Sequence, residues 1–189
     1  METAVAILVV LFVVALLWRG SYETISHSAD PKSQVNLPYS AKQPAKPLHG
    51  RTVIRGTAYV VDGDTLTIRN TQVRLFGIDA PELDHPFGWK AKGALLSLCK
   101  RRIVRAEVIT QDAHGRAVAR CFLEDGRDLS AEMVKLGLAI DWPKFSDGEY
   151  RSFEVPGVRK KLWLADARQK GRMHVWEEYT ARKNAQKDS

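Results

Sequence analysis

The sequence predicts an α+β, mainly β domain in which five short strands close into a small barrel with about three helices. Segments rich in β-branched residues alternate with turn signals from residue 51 onward. One stretch between the third and fourth of these segments has the apolar spacing of a helix. Five short strands with a helix between the third and fourth are typical of an OB-type barrel.

Length and composition narrow the classes of protein that this sequence allows. The 189 residues fit one domain with appendages, and 29 Lys and Arg against 22 Asp and Glu give a formal net charge of +7. With 44% apolar and 27% charged residues, the chain is not wholly disordered, collagen-like or a polytopic membrane protein. Two cysteines are too few for a disulfide scaffold or an all-cysteine zinc site. The positive charge favours an anionic partner such as nucleic acid, a phosphoester or anionic lipid.

Two appendages are predicted before the barrel and one after it. Ala4 to Trp18 is apolar, and as a helix it is about 22 Å long, short of a hydrocarbon core of roughly 30 Å. Residues 1–20 are therefore predicted to form an apolar helix, a membrane anchor or signal segment, and a poor cleavage site favours the uncleaved anchor. Residues 21–50 are polar, proline-containing and aperiodic, which predicts a flexible linker. The barrel domain is predicted over residues 51–178 and a basic tail over 179–189.

The first three strands are predicted from β-branched runs separated by turns. Thr52 to Val61 ends at Asp62-Gly63, a strong turn dipeptide. Thr65 to Arg69 alternates, and Asn70-Thr71-Gln72 then interrupts the run before Val73 to Ile78. These three segments form a predicted meander.

The middle of the domain changes from helix to strand. The spacing i, i+3, i+4, i+7 and i+8 predicts an amphipathic helix whose apolar face carries Ala91, Ala94, Leu95, Leu98 and Cys99. Two more strands, Ile103 to Thr110 and Arg116 to Leu123, flank a turn at His114-Gly115.

Two further helices are predicted in the last third of the domain. Asp128 can cap a short helix that continues to Leu136, and Gly137 would end it. Arg159 to Lys170 is the predicted last helix. The segment Lys144 to Pro156 between them is predicted to be a loop.

Carboxylates gather at two of the predicted turns. Asp62-Gly63-Asp64-Thr65 is by itself most simply a hairpin turn, and it lacks the ligand spacing of an EF-hand. The loop Asp79-Ala80-Pro81-Glu82 follows an apolar strand that contains Arg74. Carboxylates crowded at the end of a strand repel each other unless a cation or a proton intervenes. The loop therefore predicts either a hard metal ion or a solvated acidic surface.

A third motif is His114-Gly115-Arg116, which by itself is most simply a hairpin with an exposed arginine. Together the three motifs resemble the thermonuclease family, whose best-known member is micrococcal (staphylococcal) nuclease. The resemblance covers roughly residues 51–178, and its other ordered segments are Val61-Asp62-Gly63-Asp64-Thr65, Val73-Arg74-Leu75, Asp79-Ala80-Pro81-Glu82, Leu136-Gly137-Leu138-Ala139 and Met173-His174-Val175-Trp176. It implies an OB-type barrel with helices. It also implies calcium-dependent hydrolysis of phosphodiester bonds in DNA and RNA that leaves a 3′-phosphate.

The resemblance implies a metal site as well. Asp64 and Asp79 would supply carboxylate oxygens to Ca²⁺, and Ala80 would supply its backbone carbonyl. The family usually has Thr at the position of Ala80, but the ligand is a backbone atom, so a hydroxyl is lost and the metal site is retained. Asp62 would contact the ligands rather than the metal. The ligand types alone would also admit Mg²⁺ or Mn²⁺.

Three more residues carry the implied chemistry. Glu82 would be the general base, or would position the attacking water, and Arg74 and Arg116 would bind the phosphate. In the family, the residue matching Arg116 lies near the leaving 5′-oxygen. The forked donors of a guanidinium match the charge that builds on phosphoryl oxygens, which a lysine cannot imitate.

Four other side chains carry open interpretations. Trp142 lies where the family carries tyrosines near the nucleotide pocket, so it is a candidate stacking platform or a packing residue at the barrel edge. His114 replaces a family tyrosine beside the phosphate-binding arginine. Cys99 and Cys121 are predicted core positions, and buried thiols are favoured over a disulfide.

The sequence thus predicts a calcium-dependent nuclease that acts as a monomer on DNA and RNA, preferably single-stranded. The alternative is a noncatalytic nucleic-acid or protein-binding module on the same fold, which the presence of all the acids and arginines disfavours. Arg19 after the apolar run argues for a cytoplasmic body. An unregulated nuclease in the cytosol would attack the cell's own nucleic acid, so a membrane-anchored domain outside the cytosol is predicted instead, or a protein secreted after signal cleavage.

Overall fold

The structure, a computed structural model, describes residues 52–186. The predicted apolar helix at residues 1–20 and the predicted linker at 21–50 lie outside these residues, and so do residues 187–189. Within residues 52–186, no helix combines the length and the apolar character needed to cross a membrane.

Five strands form the closed barrel that the sequence predicts. The strands of the described part of the chain are β1 (Val53–Val60), β2 (Thr65–Ile68), β3 (Thr71–Leu75), β4 (Ile78–Asp79), β5 (Ile103–Gln111), β6 (Ala117–Leu123) and β7 (Ile140–Asp141). The barrel order is β1-β2-β3-β6-β5, and β5 pairs back onto β1. Only the pairing of β3 with β6 is parallel among these barrel pairs, and the other pairs are antiparallel. This topology confirms the OB-type fold.

The third predicted strand is interrupted, and the interruption redirects the chain. Val73 to Ile78 was expected to be continuous, but β3 ends at Leu75, and β4 pairs with β7 outside the barrel. Gly77 between them has a φ of 73°, a conformation that side chains with a Cβ rarely adopt. A Cβ there would also lie 2.9 Å from Ser146 Cβ. The turn at Gly77 therefore carries Asp79 out of the barrel sheet.

Helices pack around the barrel in larger number than predicted. They are α1 (Gly88–Cys99), α2 (Leu129–Lys135), α3 (Pro143–Ser146), α4 (Val158–Lys161), α5 (Trp163–Gln169) and α6 (His174–Ala185), with a 3₁₀ turn at Arg151–Phe153. The predicted amphipathic helix is confirmed as α1. The Asp128 side chain accepts a hydrogen bond from the Ser130 N–H at the start of α2, and Gly137 has a φ of 61° after its end. Both predicted boundary signals of α2 are therefore confirmed.

Two predictions in the last third of the chain are wrong in detail. The helix expected over Arg159 to Lys170 is broken at Leu162, whose φ of −98° and ψ of 47° are not helical. The loop expected over Lys144 to Pro156 contains most of α3 and the 3₁₀ turn. Residues 179–185 of the predicted basic tail belong to α6, which docks through a hydrogen bond from Trp176 Nε1 to the Leu164 carbonyl oxygen, 2.8 Å long.

The apolar core fills the barrel and extends to α1 and α2. Its fully buried side chains alternate along the strands and recur along the helices, as in Leu66, Ile68, Val73, Leu95 and Met133. Burial of such a side chain contributes about 1.5–3 kcal/mol. This core fixes the barrel edge from which the functional loops emerge.

Both cysteines lie in this core as free thiols, which confirms the interpretation favoured from the sequence. Burial raises the pKa of the Cys99 thiol to about 11, so this thiol stays protonated at neutral pH.

We expect the core to respond to a single truncation on α1. Leu95 is fully buried, and its replacement by alanine should lower the free energy of unfolding by about 2–5 kcal/mol, because a cavity remains. The neighbouring Leu96 is 50% exposed, and Leu96→Ala should change stability by about 0.5 kcal/mol or less. Urea unfolding followed by tryptophan fluorescence measures both values. Equal losses in the two variants would contradict this assignment of the core.

Candidate active site

The turn between β1 and β2 is packed into the protein rather than solvated. Asp64 is 5% exposed, and its N–H donates to Asp62 Oδ1 at 3.0 Å. Between them, Gly63 leaves no space for a side chain, because a Cβ would lie 2.7 Å from Ala91 Cβ and 2.8 Å from Ala80 Cβ. The turn therefore contacts both α1 and the loop after β4. The simple hairpin interpretation does not account for this close approach.

The Asp64 carboxylate connects three segments of the chain. Its Oδ1 accepts from Thr65 Oγ1 at 3.1 Å and from Arg74 Nη1 at 2.8 Å, and its Oδ2 accepts from the Ala80 N–H at 3.1 Å. Thr65 and Arg74 are cross-strand partners in the pairing of β2 with β3. The strand register thus brings Arg74 beside Asp64, although the two residues are ten apart in sequence.

The acidic loop after β4 converges on an arginine that the sequence did not identify. The Arg168 guanidinium contacts both carboxylate oxygens of Asp79, with Nε 3.2 Å from Oδ2 and Nη2 bonded to Oδ1. Its Nη2 also donates to the Ala80 carbonyl oxygen at 3.3 Å, and its Nη1 donates to Glu82 Oε1 at 2.5 Å. Asp79 is fully buried, and the positive charge of Arg168 compensates its negative charge.

Arg168 lies in the last turn of α5, far along the chain from the acids that it contacts. Burial lowers the pKa of Arg168 to about 10, whereas the charge of Asp64 raises it, so the guanidinium remains charged at neutral pH. The guanidinium carbon lies 5.7 Å from the Trp142 ring centroid and 5.1 Å from that of Trp176. Its sequence signal, a basic residue on a predicted helix, is indistinguishable from that of a solvated surface arginine.

The pKa of the Glu82 carboxyl group is raised above its ordinary value. Burial raises the pKa of Glu82 to about 7, and the negative charges of Asp64 and Asp62 raise it as well, whereas Arg74 lowers it. A carboxyl group whose pKa is near neutrality suits proton transfer, because it accepts a proton readily and exists in both forms. Burial, with the charge of Asp64, also raises the pKa of Asp62.

Arg116 is connected to Asp64 through the hydroxyl of Thr65. Its side chain is held by Asp112, whose Oδ2 accepts from Arg116 Nε at 2.8 Å. Its Nη1 lies 3.4 Å from Thr65 Oγ1, the hydroxyl that donates to Asp64. His114 in the same hairpin is exposed. The predicted site residues Asp64, Arg74, Asp79, Ala80, Glu82 and Arg116 are therefore connected by hydrogen bonds, through Thr65 and Arg168.

Trp142 borders this set. Its ring packs edge-on against Phe145, with centroids 4.9 Å apart, and the guanidinium carbon of Arg74 lies 6.0 Å from its centroid. Trp142 therefore has a packing contact and two arginine neighbours. Its sequence position predicted that it would lie near the candidate site.

The donor atoms fit a hard cation in their chemistry. Carboxylate and carbonyl oxygens are the ligands that Ca²⁺ takes in proteins, and the oxygens of Asp79, Ala80 and Glu82 already converge on one cationic group, the Arg168 guanidinium. Over residues 52–186, no three His, Cys, Asp or Glu side chains are arranged to hold a metal ion by themselves. The predicted ligand set of two carboxylates and one carbonyl therefore depends on a backbone atom, and the guanidinium stands where a cation would contact Asp79 and Ala80.

The fold and the site together define a class of protein: an OB-type barrel that carries clustered carboxylates and arginines at one edge. Residues 72–178 match the family model described as staphylococcal nuclease homologue. Because the match spans more than half of the chain, the protein belongs to this family. Asp62 and Asp64 precede the matched residues, and Asp64 is joined to the matched part by hydrogen bonds from Arg74 Nη1 and from the Ala80 N–H.

Several relatives share this region. The chain is 34% identical over 110 residues to the succinoglycan biosynthesis protein ExoI of Rhizobium meliloti (strain 1021). The aligned region covers 52% of this chain and 58% of that protein. It is 34% identical over 126 residues to the probable endonuclease lcl3 of Penicillium rubens, covering 59% of this chain and 42% of that protein. Identity to the endonuclease YhcR of Bacillus subtilis (strain 168) is 28% over 147 residues, or 66% of this chain and 12% of that protein. The chain thus spans less than two thirds of the length of each of these relatives.

Proposed function

We propose that this protein is a nuclease that hydrolyses phosphodiester bonds in DNA and RNA with the help of calcium, without preference for the sugar, and leaves 3′-phosphates. The observation that carries the proposal is the connected set of three carboxylates and two arginines at the barrel edge. Membership of the staphylococcal nuclease homologue family supports it, and so do the names of two relatives, a probable endonuclease and an endonuclease.

Two arginines are suited to hold the scissile phosphate. Arg74 is 16% exposed and Arg116 is 22% exposed at the side chain, and each is fixed by a carboxylate partner. Negative charge increases on the phosphoryl oxygens as water attacks, and preorganised guanidinium donors stabilise that charge more in the transition state than in the ground state. In this role Arg116 lies on the side of the leaving 5′-oxygen.

Glu82 is suited to take the proton of the attacking water. Its side chain is 42% exposed, and its Oε1 accepts a hydrogen bond from Arg168, so a water molecule can reach the carboxylate beside this contact. The water oxygen forms a bond to phosphorus, its proton passes to Glu82, and the bond from phosphorus to the 5′-oxygen breaks. The 5′-oxygen takes a proton from solvent, and the 3′-phosphate remains on the other fragment.

Asp64, Asp79 and the Ala80 carbonyl are the proposed ligands of the divalent cation. A bound calcium ion would polarise the phosphoryl group and orient the water, and its large coordination number leaves room for both. The calcium preference is proposed from the family, since oxygen ligands of these types also admit Mg²⁺ or Mn²⁺.

The substrate is proposed to be preferentially single-stranded. Contacts with phosphates bind nucleic acid without reading its sequence, and the net charge of +7 supports such contacts. Trp142 beside Arg74 and Arg168 offers a ring for an unpaired base. A monomer suffices, because every proposed site residue comes from one chain.

The alternative is a noncatalytic binding module on the same fold, for nucleic acid or for a protein. Such a module needs basic side chains for affinity but has no need of a buried carboxylate pair. The burial of Asp64 and Asp79 to 5% and 0% exposure favours the enzyme, since buried charges are costly and are retained where they act.

Cleavage of single-stranded DNA by the full-length protein tests the proposed reaction. Cleavage should require calcium and stop with a chelator, and Glu82→Gln should lower the rate by about 10²-fold or more, because an amide cannot accept the proton. Glu124→Gln is the matched control, since Glu124 is exposed and pairs with Arg55. Equal rates for wild type and Glu82→Gln, with and without calcium, would leave only the binding module.

If Arg74 and Arg116 bind the scissile phosphate through their forked donors, replacing either by lysine should lower turnover even though the positive charge is kept. Arg74→Lys or Arg116→Lys should lower turnover by about 10²-fold or more, because lysine lacks the forked donors. Arg55→Lys, at the exposed pair with Glu124, should leave turnover nearly unchanged. Circular dichroism of each variant checks that the fold is intact. Near-normal turnover in both site variants would contradict the phosphate-binding role.

We also propose that residues 1–20 anchor the protein in a membrane with the catalytic domain outside the cytosol, secretion after cleavage being the alternative. A reporter enzyme active only outside the cytosol, fused after Ser189, should therefore be active and remain with the membrane fraction. Activity in the medium would support secretion, and an inactive reporter would contradict export.

A further inference from the structure

Arg168 is the feature of the site that the proposed reaction does not use. Its guanidinium contacts Asp79 and the Ala80 carbonyl, which are proposed cation ligands, and Glu82, the proposed base. A single side chain thus occupies the oxygens on which the reaction depends.

We propose that Arg168 is an internal competitor of the divalent cation: its guanidinium holds the ligand oxygens in the cation-free protein and must move away before a cation can bind them. The inference rests on the proposed function in one respect, namely that these oxygens bind a divalent cation. Beyond that function, it assigns to Arg168 control over the affinity of the site.

The guanidinium and a metal ion compete for the same position beside these oxygens. Arg168 Nη2 contacts both Asp79 Oδ1 and the Ala80 carbonyl oxygen, and these are two of the proposed metal ligands. The guanidinium therefore lies where a metal bound to both oxygens would have to lie. Two cations at neighbouring positions in a partly buried site also repel each other strongly. Binding of the metal therefore requires that the contact between Arg168 and Asp79 opens.

Arg168 also accounts for the stability of the site without a cation. Asp79 is fully buried, and an isolated buried carboxylate is strongly unfavourable. In residues 52–186, the other donor near this carboxylate is Gln169 Nε2, 3.5 Å from Oδ2. The guanidinium thus supplies the positive charge that would otherwise have to come from a metal.

The Arg168 side chain is partly exposed to solvent. It is 20% exposed and projects from the last turn of α5, so rotation about its side-chain bonds does not require movement of the helix. The rings of Trp142 and Trp176 flank the guanidinium at 5.7 and 5.1 Å. Their faces can hold the guanidinium after displacement, since cations bind favourably over tryptophan rings.

Calcium affinity of the full-length protein measures the competition directly. Competition reduces the apparent affinity by the fraction of molecules in which the site is open. If Arg168 occupies the oxygens in nine molecules of ten, Arg168→Gln should bind Ca²⁺ about tenfold more tightly in isothermal titration calorimetry. Arg168→Lys should fall between the two, because an ammonium cannot bridge Asp79 and Glu82 as a guanidinium does.

Arg172→Gln is the matched control. Arg172 carries the same charge four residues away, but it pairs with Asp166 and not with the ligand oxygens. Its removal changes the net charge equally, so its calcium affinity should stay within about twofold of wild type, the size of a weak long-range effect.

Thermal unfolding provides a second readout that does not depend on cleavage. In chelator, Arg168→Gln should have a Tm about 5 °C or more below wild type, because Asp79 loses its partner. Calcium should raise the Tm of this variant more than it raises that of wild type. If Arg168→Gln folds neither with nor without calcium, Arg168→Lys carries the affinity comparison.

The outcomes separate this inference from the proposed function. Unchanged or weaker calcium binding by Arg168→Gln overturns the competitor, and cleavage that still requires calcium would then leave the proposed function in place. Absence of calcium binding in both wild type and Arg168→Gln also overturns the competitor. In that case, cleavage that persists in chelator would separately remove calcium from the proposed function.

Discussion

A buried carboxylate needs a positive partner, and this constraint organises the edge of the barrel. Asp79 is fully buried at the end of β4, where an unpaired negative charge would be strongly destabilising. Arg168 on α5 meets that need, and it also reaches Ala80 and Glu82. The position of α5 against the acidic loop is therefore set by electrostatics as well as by apolar packing.

The barrel determines which other charges lie near this pair. The register of β2 and β3 places Arg74 across from Thr65, and the bend at Gly77 directs the chain from β3 into the acidic loop. Asp64 then links the turn before β2 to the Ala80 N–H. A strand slipped by one residue would turn Arg74 to the other face of the sheet. The apolar core thus secures the chemistry by fixing the strand register.

Local signals in the sequence predicted the barrel, α1 and α2, because turn dipeptides and apolar periodicity lie in short segments. The six candidate site residues came from the family resemblance, and the structure connects them by hydrogen bonds. The features that were missed depend on distant contacts. The break at Leu162 has no proline or glycine to mark it, and α6 has little apolar character, since it is held by bonds such as that from Trp176 to Leu164. The contact of Arg168 with Glu82 spans 86 residues, so no local pattern could predict it.

The acidic loop is supported by α6, which is synthesised after all the barrel strands. Tyr179 Oη donates to the Asp84 carbonyl oxygen at 3.2 Å, and Lys183 Nζ donates to the same oxygen at 2.6 Å. Asp84 follows Glu82 by two residues, so α6 braces the acidic loop. On the ribosome, all five barrel strands emerge long before Arg168 and α6. A nascent chain can therefore close its barrel while its acidic loop is still unbraced, and the site is assembled only after Arg168 and α6 have emerged.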